Sequence, residues 1–319
     1  MPSIKNPRPS IRLARLDDSA AISEVHRSHV DRWDRQIGDE RFDVGYAALS
    51  VDERWGFGGP WMSVETCAVH LNHLLINRCY PFVMQEGDRV VAEMELFVQR
   101  EGPPYGLNCH VGLLYVHRDF TGGGRGRAMV DHARRFARGQ RCDSLTVAAR
   151  PENEGFYRKC GFDYGDTLVD VEAKAQAYAV EAKPLPRPLN PQSFVWGMDM
   201  KVGRYQSSGC HINFLAERQA VSIYGETDAR AGFYTVEGQP AMLAEVSHHF
   251  ANVNAAFAWT HGAGTRALVL ALLSWLHRSG VPSANLTVPL KDYEAVRDAL
   301  DDRVTGTRRV LVYPLRGGA

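Results

Sequence analysis

Residues 121–127, with the sequence TGGGRGR, form the segment best suited to binding chemistry in this chain. The run contains four glycines and two arginines, follows the apolar stretch 111–116, and opens a segment of helical periodicity at 127–137. Glycines let a backbone approach a ligand closely, and the first turn of a helix presents N–H groups at the positive end of its dipole. The segment is therefore predicted to bind an anion, such as the phosphates of a cofactor.

Two common phosphate-binding motifs do not fit this run. A P-loop requires a lysine followed by Ser or Thr, and no lysine of this chain is followed by either. The dinucleotide fingerprint GxGxxG fails too, because Met129 or Arg127 stands where its third glycine is required. Nucleotide hydrolysis and dinucleotide binding are thus disfavoured.

The elements around the loop are predicted to alternate between strands and helices. Aromatic residues are frequent in the first part of the chain; we expect most of them to pack a helical layer, the alternative being a wall that lines a substrate site. Four prolines in 182–193 predict a linker or surface loop without regular structure. The predicted elements are a strand at 11–16, a helix at 20–30, an irregular segment at 31–62, a helix at 63–76, a hairpin at 81–98 with its turn at 86–88, strands at 107–116 and 144–149, a helix at 152–160, a strand within 162–172 and another at 194–202.

The composition places the chain among ordinary globular proteins. Its 319 residues suggest two domains, and its 37 basic and 37 acidic residues give no overall field that would attract nucleic acid or a membrane. The six cysteines form no CxxC pair, which argues against a zinc site or a disulfide framework. Because no signal peptide or long apolar run is visible either, we expect a cytoplasmic protein with reduced thiols, no metal, and no nucleic-acid or membrane partner.

Two stretches, LLYVHRDFTGGGRGRAMV at 113–130 and SLTVAARPENEGFYRKCGF at 144–162, together resemble the GNAT superfamily of acyl-CoA-dependent N-acyltransferases. In that family a strand precedes an [Arg/Gln]xxGx[Gly/Ala] loop, and an Asn..FYxxxGF element follows about 30 residues later. The resemblance implies an α/β (α+β) fold with a mixed, mostly antiparallel sheet flanked by helices. It also implies acetyl-CoA as cosubstrate and a primary amine, expected to belong to a small molecule, as acceptor.

The resemblance assigns roles to residues around the loop. Thr121 departs from the family pattern, where Arg or Gln is usual, so Arg118 or Arg125 is expected to supply that anion contact. Tyr157, in the tyrosine position of FYxxxGF, would return a proton to the departing CoA thiolate. The expected cofactor-binding residues are Leu114, Tyr115 and Val116 for the pantetheine arm, Gly122, Gly123, Gly124, Arg125, Gly126 and Arg127 for the pyrophosphate, and Asn153 for a further pantetheine contact.

The general base that deprotonates the amine has three candidates. Glu93 and Glu95 lie on the predicted hairpin, and His110 lies six residues before Val116, where some family members keep a carboxylate. The alternative for each of them, as for Tyr157, is a structural role. Direct attack of the amine on the thioester is expected, since no cysteine stands in a nucleophile motif.

The second half of the chain repeats the pattern of the first. A hairpin with a Glu237–Gly238 turn is followed by the weaker glycine loop HGAGTR at 261–266, and no FYxxxGF element appears after it. We predict an active domain at 1–204 and a degenerate GNAT-like domain at 205–319, forming either a monomer with pseudo-dimeric domains or a homodimer. The alternative function is an inactive acyl-CoA-binding regulatory or sensor protein.

Overall fold

The computed structural model of the protein describes residues 9–203, 207–220, 227–248 and 253–315. The chain divides into two compact units, the first taking in the described residues up to 96 together with 111–135. The second takes in 97–110 and the described residues after 135. No helix in the described ranges is both long and apolar enough to cross a membrane.

The fold is mixed α/β, with mostly antiparallel strand pairs, as predicted. The strands are β1 (Ser10–Leu13), β2 (Asp34–Ile37), β3 (Glu40–Asp43), β4 (Tyr80–Glu86), β5 (Arg89–Arg100), β6 (Leu107–Val116), β7 (Ser144–Ala149), β8 (Asp163–Lys174), β9 (Ala182–Pro184), β10 (Asp199–Val202), β11 (Thr227–Val236), β12 (Gln239–His248), β13 (Val253–Thr260), β14 (Ser283–Pro289) and β15 (Asp302–Pro314). The helices are α1 (Ser19–Arg27), α2 (Val51–Trp55), α3 (Val64–Ile76), α4 (Arg125–Gly139), α5 (Pro151–Lys159), α6 (Pro191–Phe194), α7 (Ser208–Ala220), α8 (Thr265–Arg278) and α9 (Leu290–Glu294).

In the first unit, β1, β4 and β5 pair antiparallel, and α3 packs against both α1 and β4. Ile22, Leu71 and Val83 join the two helices to β4 in one apolar cluster. The predicted hairpin is confirmed as β4 and β5, and its turn contains Gly87 at φ 59°. Because alternate residues of a strand share a face, Glu93 and Glu95 of β5 point to the same side.

In the second unit, the strand order is β7, β15, β8, β14, β13, β12, β11 and β9, with β10 beside β13. The last of the described strands, β15, thus lies between β7 and β8, antiparallel to both. One apolar cluster packs α8 against the strands β11, β12, β13 and β14. Another includes Leu215 of α7 with Phe257 and Trp259 of β13. The elements β4, β5, β6, α4, β7, α5 and β8 recur in the same order as β11, β12, β13, α8, β14, α9 and β15.

Two predicted irregular regions contain regular structure. Residues 182–184 form β9, which pairs only with β11 among the described strands, and α6 begins at Pro191 behind the capping side chain of Asn190. The prediction for 182–193 was wrong because prolines are compatible with an edge strand and with the first turn of a helix. Residues 31–62 were likewise expected to be irregular, yet they contain the hairpin β2–β3 and the short helix α2.

Candidate active site

The glycine loop lies between β6 and α4, in the first unit. Gly122 and Gly124 have φ angles of 78° and 79°, a conformation that other residues adopt at a cost. Helix α4 begins at Arg125 and has no acidic residue in its first turn. The N–H groups of a first helical turn have no acceptor within the helix, so this turn can bind an anion.

Two of the three arginines around the loop already have carboxylate partners. Arg125 donates from Nε and Nη2 to the two oxygens of Glu86, at 2.7 and 2.8 Å, and this ion pair lowers the pKa of Glu86. Arg118 donates to Asp31 at 2.6 Å. Arg127 is exposed and forms no ion pair with any described residue, so it is the loop arginine most readily available to a phosphate.

A groove of about 640 Å³ lies directly beside the loop. Its volume is within the range of ordinary ligand sites. The glycine backbone and the Arg125–Glu86 pair border one part of it. The lining residues are Pro9, Met84, Glu86, Gly87, Arg89, Phe120, Gly123, Gly124, Arg125 and Ala128.

The end of β6 that leads into the loop is more exposed than its beginning. Residues 108–111 are buried, whereas Leu114 and Val116 are half-buried and Tyr115 is exposed. The Val116 carbonyl accepts a hydrogen bond from Nε2 of His29 at 2.8 Å. A carbonyl oxygen has two lone pairs, so this bond leaves Val116 able to accept another from a ligand.

Two buried histidine–carboxylate pairs lie side by side in the first unit. Nε2 of His26 is 2.5 Å from Glu93, and Nε2 of His70 is 2.9 Å from Glu95. The indole N–H of Trp61 also donates to Glu95, at 3.0 Å, and the Trp61 ring stacks on His26 with centroids 5.1 Å apart. We call these five residues the acid–histidine cluster.

Burial shifts the pKa values within the cluster toward uncharged forms. The pKa of Glu93 is raised well above its ordinary value, first by burial and then by the charge of Glu95. The pKa of His26 is lowered by burial and by His29 and His70. A carboxylate with a raised pKa is a stronger base than an exposed one, which suits proton abstraction.

His110, the third candidate base, lies in the second unit. It is fully buried, and its Nδ1 forms a 2.9 Å hydrogen bond with Thr146. Burial lowers the pKa of His110 to about 3, so the imidazole is neutral and a weak proton acceptor at physiological pH. This environment favours Glu93 over His110.

Tyr157 and Asn153 also belong to the second unit. Tyr157 is 8% exposed, packs against Phe156 and Phe162, and has its pKa raised by burial, so its phenol stays protonated. That state is compatible with proton donation and equally with a place in the core. Asn153 is exposed in the first turn of α5, where its N–H donates to the Arg150 carbonyl at 2.9 Å.

All six cysteines are free thiols, and five of them, including Cys160, are buried. Burial raises the pKa of Cys67 and Cys109, which keeps both as unreactive thiols. In the described part of the chain, no cluster of three or more His, Cys, Asp or Glu side chains could hold a metal ion.

Comparison with known proteins identifies the region that contains the loop. Residues 46–162 match the family model described as Acetyltransferase (GNAT) family. Residues 46–162 are a GNAT domain. The predicted resemblance is thereby confirmed, although α1, with His26 and His29, precedes the matched segment.

Solved GNAT structures resemble the chain well beyond the matched segment. A putative acetyltransferase from Pyrococcus horikoshii is 13% identical, covers 98% of this chain and 92% of its own, and has a TM-score of 0.56. A GCN5-related N-acetyltransferase from Anabaena variabilis is 9% identical over 97% of this chain and 73% of its own, with a TM-score of 0.57. Another, from Sphaerobacter thermophilus, is 14% identical over 98% of both chains, with a TM-score of 0.51. At these identities the likeness shows the fold; no curated protein matches the chain.

Sequence reasoning missed three members of the acid–histidine cluster, of which two lie in the GNAT domain. Trp61 was included only in the general aromatic segment, while His26 and His70 received no role. The sequence offered one signal for the histidines: His70 lies on a helix, three residues after Cys67, on the same helical face. Nothing in that spacing indicates which strand the face contacts.

Proposed function

We propose that the protein is an N-acetyltransferase that moves an acetyl group from acetyl-CoA directly to a primary amine of a small acceptor molecule. The observation that carries the proposal is the glycine loop of a GNAT domain, with positive φ at Gly122 and Gly124, opening α4 beside a ligand-sized groove. An anion at this helix terminus is stabilised by backbone N–H groups and by the helix dipole.

The cofactor would bind along the end of β6 and the loop. Residues 122–127 would hold the pyrophosphate, with Arg127 as the arginine most available to it. The backbone of Leu114, Tyr115 and Val116 would hydrogen-bond the pantetheine arm, which the partial exposure of this strand end supports. Asn153 would make a further pantetheine contact, which is supported by its place in the Asn..FYxxxGF motif.

The reaction needs a base and an acid. We assign the base to Glu93, because burial raises the pKa of its carboxyl group. Burial lowers the pKa of His110, which makes that imidazole a weak proton acceptor. The neutral amine then attacks the thioester carbon, the N–C bond forms, and the C–S bond breaks. Tyr157, whose phenol is protonated at neutral pH, would donate its proton to the CoA thiolate.

We propose further that the chain has two GNAT-like domains, at 1–204 and 205–319, and that only the first binds acetyl-CoA. In the second, the N-terminus of α8 already has carboxylate ligands from the chain itself. Glu237 accepts the N–H of Gly264 at 3.0 Å, and Asp292 accepts the hydroxyl of Thr265 at 2.8 Å. These carboxylates would repel a pyrophosphate.

A catalytically inactive acyl-CoA sensor is the second candidate. It is favoured by one observation: Thr121 replaces the usual Arg or Gln, and both arginines expected to compensate, Arg118 and Arg125, are engaged by carboxylates. Such a loop would bind the cofactor more weakly than a loop with unpaired arginines.

Calorimetry with acetyl-CoA, followed by a thiol-release assay over a panel of amines, tests both candidates. The N-acetyltransferase should bind one acetyl-CoA per chain and release CoA with at least one amine. Binding without release on any amine would favour the sensor. Absence of binding would refute both.

A further inference from the structure

The candidate base Glu93 is too deeply buried to meet an acceptor amine by itself. Its exposed fraction is 1%, and the one side chain within hydrogen-bonding distance in the described part of the chain is His26. A proton must therefore reach the carboxylate through a group that contacts both Glu93 and the partly exposed end of β6. A general base must lie within hydrogen-bond reach of the proton it takes, or one water away, so the group between Glu93 and the acceptor matters.

His26 has both contacts, although it is itself only 2% exposed and packs against the Tyr115 ring. On one side its Nε2 meets Glu93 at 2.5 Å. On the other, its ring lies 4.4 Å from the ring of Tyr115, which is 37% exposed at the end of β6. Nδ1 of His26 forms no hydrogen bond with any described group, so that nitrogen can accept a proton that reaches it past the Tyr115 ring, directly or through one water.

Helix α1 aligns His26 with the strand end where the thioester is proposed to lie. His29 follows three residues later, on the same face of the helix, and contacts both the Tyr115 ring, at 5.4 Å, and the Val116 carbonyl. Two histidines of one helix thus lead from the buried carboxylate to the proposed pantetheine-binding backbone.

We propose that His26 carries the proton from the acceptor amine to Glu93. This inference rests on the proposed acetyl transfer. Nδ1 of His26 takes a proton from the ammonium form of the acceptor, directly or through one water, and the proton on Nε2 passes to the Glu93 carboxylate. The neutral nitrogen then bonds to the acyl carbon, and the CoA sulfur leaves with the electrons of the C–S bond. The general acid protonates the sulfur, and the proton that the new amide nitrogen loses restores the general acid.

The accepting form of the pair is neutral His26 beside ionised Glu93, so turnover should rise with pH through the pKa of the pair. Several titratable groups surround the pair and contribute to that value. They are His29 on α1, Cys67 and His70 on α3, Glu95 on β5 and Tyr115 on β6.

The second pair of the cluster provides a matched control. His70 and Glu95 form a second buried histidine–carboxylate pair, 2.9 Å apart, on the same face of β5 as Glu93. The His70 ring packs edge-on against Trp61, at 5.0 Å. Loss of His70 should therefore disturb the core about as much as loss of His26, without interrupting the proposed route.

The test compares His26→Gln, Glu93→Gln, their double variant and His70→Gln, using the full chain with acetyl-CoA and a reactive amine. His26→Gln and Glu93→Gln should each lower kcat by about 100-fold and abolish the rise of kcat with pH. The double variant should be no slower than the slower single variant, because the two residues act as one unit. His70→Gln should retain the rise.

Tyr115→Ala is a second variant, at an exposed position, that tests the route if the buried variants unfold. Removing the ring admits water to His26, so the rise of kcat should move to lower pH as the burial effect on Glu93 weakens. A pH profile unchanged in both Tyr115→Ala and His26→Gln, or single losses that multiply in the double variant, would overturn the relay. A wild-type protein that releases no CoA would instead refute the acetyl transfer.

Discussion

The ion pair between Arg125 and Glu86 should weaken cofactor binding, and Glu86→Gln should therefore tighten it. Arg125 stands in the loop proposed to hold the pyrophosphate, yet its Nε and Nη2 both donate to the Glu86 carboxylate, and its Nη1 donates to the Phe120 carbonyl. A bound phosphate must either displace that carboxylate from Arg125 or be repelled by its negative charge. Replacing Glu86 by glutamine removes the negative charge that competes with phosphate for Nε and Nη2, while the bond from Nη1 to Phe120 remains.

The magnitude follows from the exposure of the pair. The two side chains are 24% and 23% exposed, so solvent screens their attraction strongly, and a pair of this kind is worth about 1 kcal/mol or less. If that energy no longer opposes binding, the Kd for acetyl-CoA should fall by up to about fivefold. The gain should shrink as salt is added, because the interaction is electrostatic.

Asp88→Asn is the matched control for this measurement. Asp88 lies on the same turn, is exposed, and forms no ion pair with a described residue, so its loss changes the net charge equally without releasing an arginine. Calorimetric titration of both variants at two salt concentrations separates the effects. Equal tightening in both variants, or weaker binding in Glu86→Gln, would refute a competition between Glu86 and phosphate for Arg125.

Three further predictions concern the loop, the acid and a buried carboxyl group. Gly124→Glu should weaken acetyl-CoA binding by about tenfold or more, because it places a negative charge in the loop. Gly124→Ala is the control, since it introduces similar backbone strain without the charge and should lose much less affinity. Unchanged affinity in Gly124→Glu would show that the pyrophosphate does not bind at this loop. Tyr157→Phe should lower kcat by about 100-fold with little change in the Kd for acetyl-CoA. An unaltered kcat would show that Tyr157 has a structural role and is not the general acid. Glu101 accepts hydrogen bonds from the N–H and hydroxyl of Ser208, and burial raises its pKa from 4.5 to about 7. The folded state therefore holds a proton that the unfolded state releases, and this stabilising contribution is complete below pH 4.5 and is lost as the pH rises through about 7. Urea unfolding should show Glu101→Gln gaining up to about 3 kcal/mol relative to wild type between about pH 5 and about pH 8, and parallel stability curves would contradict the assignment.

Local patterns predicted most of the fold. The bounds of β6 and β7 were predicted to the residue, and α3, α4 and α5 to within two residues at each end, because hydrophobic periodicity and glycine positions are signals within one element. The edge strand β9 was missed because its proline pattern is typical of a loop. The segment is a strand because it pairs with β11, which lies about 50 residues later in the sequence.

The same distinction between local and long-range signals applies to the candidate site. The glycine loop is contiguous in sequence, so its backbone conformation could be predicted from residue types. The acid–histidine cluster could not, because His26 and Glu93 are 67 residues apart and meet only through the packing of α1 on β5. Burial then changes what those groups can do, since the same carboxyl type has a lowered pKa in Glu86 and a raised one in Glu93.

The position of β15 bears on how the chain folds. Leu311 of β15 pairs with Val147 of β7, and Val304 pairs with Val171 of β8, so both contacts join residues more than 130 positions apart. Closing such long loops is entropically costly and slows folding. During synthesis, β7 and β8 would leave the ribosome well before the strand that separates them. We expect these two strands to need protection from mispairing until residues 302–314 have been made.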